Sequence, residues 1–592
     1  MKKIIKFLNF IKKAHFIIGK NNIVEFYKIT VFIFFVTVLE VVGIGLIIPF
    51  LSFISNPEKF ISNASKYLNN FDFYNILFFF QTLSTSEIAF IILGLIFAIF
   101  TIKFLYLVFV AWRASKFLLG LQQDLSDRLL KKYLSLPYIF HLNHNASVLA
   151  SSVVKESSVF SNTVINSFMV LLADGFLILA FIILVILFDP FLSSILILFS
   201  SAIVFSYYFF IKKMVTDWGE KRQFHDGLKL KHLFQSLNNI KFIIFSNLQK
   251  FFLEKFSLHN KISSNMDRNT FFLSKLPLIG LEFLSVIIFV LIIITIFSSG
   301  KNFEELIQYI GLYAAVAFRI IPSVNRCLNS LTGLRFGIPV INLIDHELNR
   351  KDYTFLDNNK SKIETKDELC VDLNFKNVFA LKNISFSYDN NTLILDGINL
   401  EIQKNDFIGI VGESGSGKTT LIDVVLGLLV PVNGSYLLDG IALDSRNLKT
   451  WQKKLAYIPQ EPYLLDDTLK KNIAFGFPEE NISESKILYC LRNAELTEFE
   501  NKLEMIIGER GVRLSGGQKQ RISIARALYL DPEIFVMDEP TSSLDVETEA
   551  RIIDSINSIS KKKTIVLVSH RESVLKKCNK KFLLRNGKLL LL

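Results

Sequence analysis

Hydrophobic and polar positions alternate differently in the two halves of the chain. Before residue 345, six apolar runs reach the roughly 20 residues that a helix needs to cross a bilayer. Beyond residue 366, short apolar runs of strand length alternate with helical patterns and glycine-rich turns. The pattern predicts a multidomain membrane protein with a six-helix transmembrane domain (1–344), a polar linker (345–366) and a soluble α/β domain (367–592). The six predicted spans are Ile29–Leu51, Ile88–Val110, Ile165–Phe188, Pro190–Ile211, Pro277–Phe297 and Leu306–Val324.

The distribution of lysine and arginine predicts the orientation in the membrane. Residues 1–28 contain seven lysines and residues 212–275 are rich in bases, whereas the connections after the first, third and fifth spans contain few. By the positive-inside rule, both termini, the α/β domain and the connections 113–163 and 212–275 are cytoplasmic. Helical periodicity in these connections predicts spanning helices that continue into the cytosol. Short crosswise helices are expected at their tips, at His141–Val148 and Phe224–Phe234.

Composition and charge narrow the function classes. Hydrophobic residues make up 51% of the chain and the mean hydropathy is +0.39, which fits a membrane protein. The net charge is +12, but the bases lie among apolar runs without interleaved stacking aromatics, so no nucleic-acid partner is expected. The four cysteines have neither metal-ligand nor disulfide spacing. The outer segment 57–71 is either an amphipathic surface helix or an irregular loop with scattered aromatics.

Ionisable residues within predicted spans are costly and therefore informative. Arg319 and Arg326 are seven residues apart, which places them on one helix face. Together with Lys103 they could bind a phosphate-bearing substrate, because guanidinium groups pair with phosphate oxygens. Alternatively, these cations form structural ion pairs. The acidic candidates for such pairs are Glu40, Asp174 and Glu282.

A glycine-rich stretch in the second half has the features of a phosphate-binding loop. It lies between a predicted strand, Phe407–Val411, and a predicted helix, so its backbone N–H groups and the helix N-terminus can bind a triphosphate. Lys418 would reach the β- and γ-phosphates and Thr419 would ligate Mg²⁺. An ordinary glycine-rich turn is the alternative. The loop comprises Gly412, Glu413, Ser414, Gly415, Ser416, Gly417, Lys418 and Thr419, with Thr420 following.

Two further segments of the second half support a nucleotide site. The apolar run Ile534–Met537 ends in Asp538 and Glu539, which places two carboxylates at the carboxyl edge of a sheet. Asp538 is predicted to hold Mg²⁺ and Glu539 to polarise the attacking water. Ahead of a predicted helix, a serine and two glycines form a second phosphate-facing segment, Leu514, Ser515, Gly516, Gly517 and Gln518.

These motifs, with the sequence Ser543–Leu544–Asp545, occur in the order found in ATP-binding cassette (ABC) transporters, and residues 367–592 resemble their nucleotide-binding domain. The resemblance implies ATP and Mg²⁺ as cofactors. It further implies that Tyr388 stacks on adenine, that Gln460 senses Mg²⁺ and water, and that His570 contacts the γ-phosphate. In the family, the signature segment of a second copy closes over ATP, so a homodimer is expected. The segment 508–511 resembles the part of exporters that couples to the crosswise helices.

Six spans ahead of one such domain resemble an exporter half-transporter, and the first and sixth spans resemble those of bacterial flippases for lipid-linked oligosaccharides. Two positions depart from the pattern: Pro540 replaces a common alanine, and Leu278 replaces an arginine. The expected function is ATP-driven translocation of an amphiphile, a lipid-linked oligosaccharide or other phosphate-bearing lipid, to the outer leaflet of a bacterial plasma membrane. A peptide or hydrophobic-drug exporter is one alternative. An ATP-gated regulator without net transport is the other.

Overall fold

A computed structural model describes residues 2–45, 53, 84–188, 190–298, 303–350, 375–389, 391–540, 548, 551–552 and 563–592. Contacts divide the chain into two compact units. One comprises Met1–Leu136 and Asn143–Asp352, and the other comprises Pro137–Leu142 and Tyr353–Leu592. The predicted surface helix at 57–71, the Ser543–Leu544–Asp545 motif and the linker beyond residue 350 lie outside the described residues.

Helices make up the described part of the first unit. Two π-helical segments, Ser152–Glu156 and Phe160–Ile165, connect α5, α6 and α7 into one helical run. The helices are α1 (Lys2–Ile18), α2 (Lys20–Gly45), α3 (Thr85–Ser135), α4 (Tyr138–Asn143, shared with the second unit), α5 (Ala146–Ser151), α6 (Ser157–Val159), α7 (Asn166–Phe188), α8 (Pro190–Asn238), α9 (Ile240–Phe245), α10 (Gln249–Ser298) and α11 (Phe303–Asn349).

The described parts of the predicted membrane spans fall in long helices. Four helical segments in the described residues are long and apolar enough to cross a membrane: Lys20–Gly43, Ser86–Ser135, Ala146–Ile183 and Phe318–Asn349. The fourth and fifth predicted spans lie in α8 and α10. Helix α3 has 51 residues and α10 has 50. At 1.5 Å per residue each is roughly 75 Å long, far more than a ~30 Å hydrocarbon core.

The two predicted tip helices are displaced along the chain. The first is α4, which begins three residues before the predicted His141 and ends at Asn143. The second prediction is wrong, because residues 224–234 lie inside α8 and the short helix at this tip is α9. Asparagines decide the breaks: Asn239 has non-helical dihedrals before α9, and Asn247 adopts a positive φ of 53° after it. Their short polar side chains tolerate such conformations.

A buried polar network joins the helical run 146–165 to α8 and α10. Asp226 is 0% exposed, pairs with Lys155 and Lys229, and accepts a hydrogen bond from Ser263 at 2.7 Å. Arg222 lies 3.4 Å from Asp226 and 3.1 Å from Glu156. Buried charges need such partners, because an unpaired one loses hydration without compensation.

The second unit contains two sheets. The antiparallel sheet has the order β2-β1-β4-β5, and the six-stranded sheet has the order β10-β9-β3-β8-β7-β6, with β9, β3, β8, β7 and β6 parallel. Its strands are β1 (Val378–Phe386), β2 (Leu395–Gln403), β3 (Phe407–Val411), β4 (Asn433–Leu438), β5 (Ile441–Ala442), β6 (Leu455–Ile458), β7 (Ile534–Asp538), β8 (Thr564–Val568), β9 (Lys580–Arg585) and β10 (Lys588–Leu591).

Helices cover the parallel sheet, and strands β7 and β8 are buried at every residue, as expected for a parallel sheet covered on both faces. The helices are α12 (Lys418–Val425), α13 (Ser445–Gln452), α14 (Leu469–Ile473), α15 (Glu484–Asn493), α16 (Gly516–Leu530) and α17 (Glu572–Leu575). Residues 137–142 belong to this unit, in which Phe140 is fully buried and Ile139 packs against the hydrophobic core. In this structure α4 is therefore packed as part of the α/β unit.

Candidate nucleotide site and charged membrane helices

The glycine-rich loop connects β3 to α12, as predicted. Gly415 and Gly417 have φ of 80° and 99°, a left-handed backbone that side chains disfavour. A Cβ on Gly412 would lie 2.5 Å from the Leu584 carbonyl oxygen, so only glycine fits there. Lys418 Nζ donates to the carbonyl oxygens of Gly412 and Glu413, both at 2.8 Å, which holds the ammonium group within the loop. The loop is thus shaped before any phosphate binds.

The residues predicted to hold ATP and Mg²⁺ fit that task. The Ser416 hydroxyl is buried without a hydrogen-bond partner among the described residues, and so is free to donate to a phosphate oxygen. Thr419 Oγ1 lies 3.4 Å from Asp538 Oδ2, which places a hydroxyl and a carboxylate side by side. Such oxygen donors, completed by phosphate and water, suit Mg²⁺. Burial, followed by the charge of Glu539, raises the pKa of Asp538, an effect that a bound cation would oppose.

Glu539, Gln460 and His570 come together at the carboxyl edge of the parallel sheet. Gln460 Nε2 donates to Glu539 Oε2 at 2.9 Å, and His570 Nε2 lies 3.4 Å from Glu539 Oε1. Because β6, β7 and β8 are adjacent and parallel, residues that follow their carboxyl ends meet at one edge. Each oxygen of the Glu539 carboxylate therefore has a neighbouring side chain that fixes its orientation. A group that positions and polarises a water molecule needs such a fixed orientation.

The remaining predicted nucleotide residues lie at two places. Tyr388, 45% exposed, bonds through its hydroxyl to Thr420 Oγ1 at 3.1 Å, which holds the ring beside the first turn of α12. Ser515 caps α16: its hydroxyl accepts from Gln518 N at 3.2 Å, and Gln518 Oε1 accepts from Ser515 N at 2.9 Å. Ser515 and Gly516 are exposed. The signature segment therefore presents a capped helix N-terminus to the surface.

Two buried residues near this site escaped the sequence prediction. Gln520, fully buried, donates to the Glu539 carbonyl oxygen at 3.1 Å. Asp423 is 8% exposed on α12, and burial together with the charge of Asp538 raises its pKa to about 6. An acidic residue four positions after Thr419, within an otherwise apolar helix, was the available signal for Asp423.

The cations of the first unit pair with carboxylates. Arg319 and Lys103 both contact Glu40, with Lys103 Nζ 3.2 Å from Glu40 Oε1. Arg326 Nε donates to Asp174 Oδ2 at 2.8 Å, and Arg326 also donates to the Ser323 hydroxyl at 3.0 Å. The structure thus shows the ion pairs that were the alternative to a substrate role. The Glu282 side chain is exposed.

After this pairing the cations remain partly exposed to solvent, and they outnumber the carboxylates. The side chains of Arg326, Arg319 and Lys103 are 46%, 35% and 12% exposed, whereas Glu40 and Asp174 are 2% and 6% exposed. The two carboxylates are more buried than the three cations, and the five-residue group carries one surplus positive charge because it has three cations and two carboxylates. Such a cluster can stabilise the packing of the helices through its ion pairs and can also bind an anion through its exposed cations.

Family profiles match both parts of the chain. The ABC transporter profile matches residues 395–542, and the profile for the ABC transporter transmembrane region matches residues 26–315. The chain belongs to the ABC transporter family. It has the organisation of an exporter-type ABC half-transporter, with a multi-pass transmembrane region followed by one nucleotide-binding domain.

Similar ABC proteins differ in how much of this chain they cover. The ATP-dependent lipid A-core flippase 1 of Colwellia psychrerythraea is 27% identical over 484 residues, 79% of this chain and 78% of the flippase. A sophorolipid transporter of Starmerella bombicola is 34% identical over 220 residues, 35% of this chain. That match spans only 17% of the transporter, as do matches to two plant ABC transporters. Because the chain spans only a small part of several of these relatives, their activities cannot be assigned to it from similarity alone.

A solved structure supports the fold of the whole chain. A bacterial Atm1-family ABC exporter with ATP bound matches with a TM-score of 0.70 and 18% identity, covering 93% of this chain and 94% of the exporter. At this identity the match establishes the fold alone.

Proposed function

We propose that this ABC protein is an ATP-hydrolysing exporter that moves an amphiphile with a phosphate-bearing head from the inner to the outer leaflet. The oriented Glu539 carboxylate, beside Gln460, His570 and the glycine-rich loop, is the observation that carries the hydrolytic part. With bound ATP, Lys418 would hold the terminal phosphates, Thr419 and Asp538 would bind Mg²⁺, and Glu539 would polarise the attacking water. Tyr388 would face adenine.

Two observations support a lipid substrate: the net positive charge of an ion-pair cluster in the first unit, and the similarity of the chain to transporters that are named for lipid substrates. The group formed by Lys103, Arg319, Arg326, Glu40 and Asp174 retains one positive charge after pairing, and its arginines are the more exposed members. A guanidinium group can donate two parallel hydrogen bonds to two oxygens of one phosphate. The relative aligned over most of its length is, by name, a lipid A-core flippase, and another is a sophorolipid transporter. We assign as substrate a polyprenyl-pyrophosphate-linked glycan or a lipid of the same head chemistry.

Vectorial transport in vesicles tests this proposal. The purified chain in phosphatidylcholine vesicles should move a fluorescent polyprenyl-pyrophosphate glycan across the bilayer only with ATP and Mg²⁺, and Glu539→Gln should abolish the movement. Arg319→Ala should keep basal ATP hydrolysis but lose its stimulation by the lipid, whereas exposed Lys576→Ala should retain both. Transport of peptides or hydrophobic drugs with no movement of the lipid would favour a different exporter class. ATP hydrolysis without any transport would favour a regulator.

A further inference from the structure

An apolar cavity lies between α1, α2, the π-helical segment Phe160–Ile165 with the start of α7, and α11. Its volume is about 160 Å³. Ile18, Phe26, Val164 and Ile165 form its buried floor, each less than 8% exposed. Small Ala14 lines it on α1 and leaves space where a larger side chain would project. An apolar cavity of about 150 Å³ is large enough to hold a benzene-sized molecule, so this one would accommodate about six carbons of an alkyl chain.

The mouth of the cavity is apolar and outward-facing. Ile11 and Tyr27 line the cavity and are 37% and 57% exposed, and the neighbouring Phe16 and Val24 are 45% and 53% exposed. In a membrane protein such surfaces face acyl chains and the headgroup boundary rather than water. Charge asymmetry places residues 1–28 at the cytoplasmic leaflet, so the cavity opens at the level where inner-leaflet lipids begin.

The lysines of α1 and α2 that are near the lining residues along the chain differ in their pairing. Lys13 pairs with Asp345 at 3.1 Å and Lys28 with Glu25 at 2.9 Å. Lys12, one helical turn before the lining residue His15, and Lys20, at the start of α2, are exposed. Neither has an ion-pair partner within the described residues. Two exposed lysines, each within one helical turn of a lining residue along the chain, match an anionic head joined to an alkyl tail.

We propose that this cavity binds an acyl chain of an anionic inner-leaflet phospholipid, whose phosphate lies against Lys12 and Lys20. The bound lipid is a resident component and is separate from the transported molecule. Its tail would fill the space that α1 leaves against α7 and α11, adding apolar contact between the N-terminal helix and two helices of the transmembrane domain. The site does not depend on the nucleotide chemistry or on the substrate.

Native mass spectrometry of the full-length purified chain tests the site. The probes are phosphatidylglycerol and phosphatidylcholine with identical acyl chains, titrated into delipidated protein in detergent. We expect one phosphatidylglycerol per chain to bind more tightly than phosphatidylcholine. Lys12→Ala with Lys20→Ala should lower phosphatidylglycerol affinity about five-fold for each lysine, which corresponds to about 1 kcal/mol per basic residue. Phosphatidylcholine affinity should not change. Ala14→Trp, which fills the cavity, should remove the tight site for both lipids.

Matched variants separate this site from general lipid contact. Lys28→Ala removes a paired lysine, and Ala98→Trp adds an indole to the exposed surface of α3; both should bind phosphatidylglycerol as the parent chain does. Equal affinity for the two lipids, an unchanged affinity in the double lysine variant, or an equal loss in Ala98→Trp would each overturn the proposal. The proposal would also be overturned if a polyprenyl phosphate displaced phosphatidylglycerol from the site and Ala14→Trp abolished binding of the polyprenyl phosphate, because the site would then belong to the transported class of lipid. If Ala14→Trp does not fold, the lysine comparison decides.

Discussion

At the scale of single residues, the nucleotide site converges on Glu539. Its φ is 46°, a left-handed conformation that costs a non-glycine residue about 1–3 kcal/mol. Neighbours offset this cost, because Glu539 N donates to the Val568 carbonyl oxygen at 3.0 Å and its own carbonyl oxygen accepts from Gln520. The backbone is thereby fixed so that the carboxylate reaches Gln460 and His570.

The Glu539→Gln variant should separate ATP binding from hydrolysis. The amide keeps the shape of the side chain but cannot act as a base, so hydrolysis should fall by at least ~10²-fold. ATP affinity, measured with a fluorescent nucleotide, should stay within about two-fold of the parent value. Lys418→Ala is the contrasting variant and should weaken ATP binding itself. Near-normal turnover of Glu539→Gln would move the water-activating role to Gln460 or His570.

Asp423 predicts a pH dependence of stability. Burial and then the charge of Asp538 raise its pKa to about 6, so the folded chain retains this proton where an unfolded aspartate, with an ordinary pKa of 3.8, has lost it. Stability therefore falls as pH rises from about 4 to about 6 and stays lower above that range. Asp423→Asn should remove a cost of up to about 3 kcal/mol at pH 7.5.

Thermal unfolding without nucleotide measures this effect. The apparent Tm of Asp423→Asn should exceed that of the parent chain at pH 7.5, and the difference should shrink as pH falls toward 5. Exposed Asp396→Asn on β2 is a control that should show no such trend. A difference that is the same at pH 5 and pH 8 would contradict the assignment of the raised pKa.

At the scale of elements, helix packing in the first unit depends on the buried Asp226 of α8. Burial alone would raise its pKa, but hydrogen bonds from Lys155 and Ser263 hold the pKa below its ordinary value. A depressed pKa means that the carboxylate stabilises the fold above pH 4 and that this contribution is lost on further acidification. Asp226 thus compensates several cations at the junction of α8, α10 and the helical run from residue 146.

Asp226→Asn should destabilise the transmembrane unit markedly. It removes the shared acceptor of Lys155, Lys229 and Arg222 and leaves the buried Arg222 with Glu156 as its remaining ion-pair partner in the described residues. Loss of one partner from a buried ion network costs about 3–5 kcal/mol. Asp217→Asn, exposed on the same helix, should be neutral. Equal apparent Tm values for the two variants in detergent would refute a stabilising role for the network.

At the scale of the whole molecule, the exposed signature segment predicts a dimer of identical chains. Ser515 and Gly516 lie at the surface at the start of α16, and the serine hydroxyl and the backbone N–H groups there are suited to bind a phosphate. Lys418, Glu539, His570 and the signature are all present in one chain, so two identical chains would form two complete sites.

Native mass measurement checks this dimer. The detergent-solubilised chain should have the mass of two copies and should hydrolyse ATP without another subunit. Glu539→Gln with ATP should favour the closed dimer, because the nucleotide binds that state more tightly. Ser515→Arg should prevent closure while leaving each chain folded and able to bind ATP. A monomeric mass, or ATPase activity only after addition of a different subunit, would contradict the prediction.

Local chemistry made much of this protein predictable from its sequence alone. Membrane-spanning length is a property of one continuous apolar run, and the conformation of a glycine-rich loop depends on its own glycines. Asp538 at the end of β7 and Glu539 after it had to lie at the edge of a parallel sheet, because strand direction fixes that position. The spans within the described residues, the loop between β3 and α12, and the position of Glu539 therefore agree with the sequence patterns. The places of Gln460 and His570 beside Glu539 were expected only from the resemblance to ABC transporters.

Tertiary structure alone decided which distant groups meet. Sequence left Arg319 and Arg326 with two alternatives, since a helical spacing of seven gives a face but not its neighbours; packing placed Glu40 and Asp174 beside them. The same applies to Asp423, whose raised pKa comes from burial and from Asp538, more than a hundred residues away. Interactions within a turn are set by neighbouring residues, whereas burial and ion pairing are set by the whole fold.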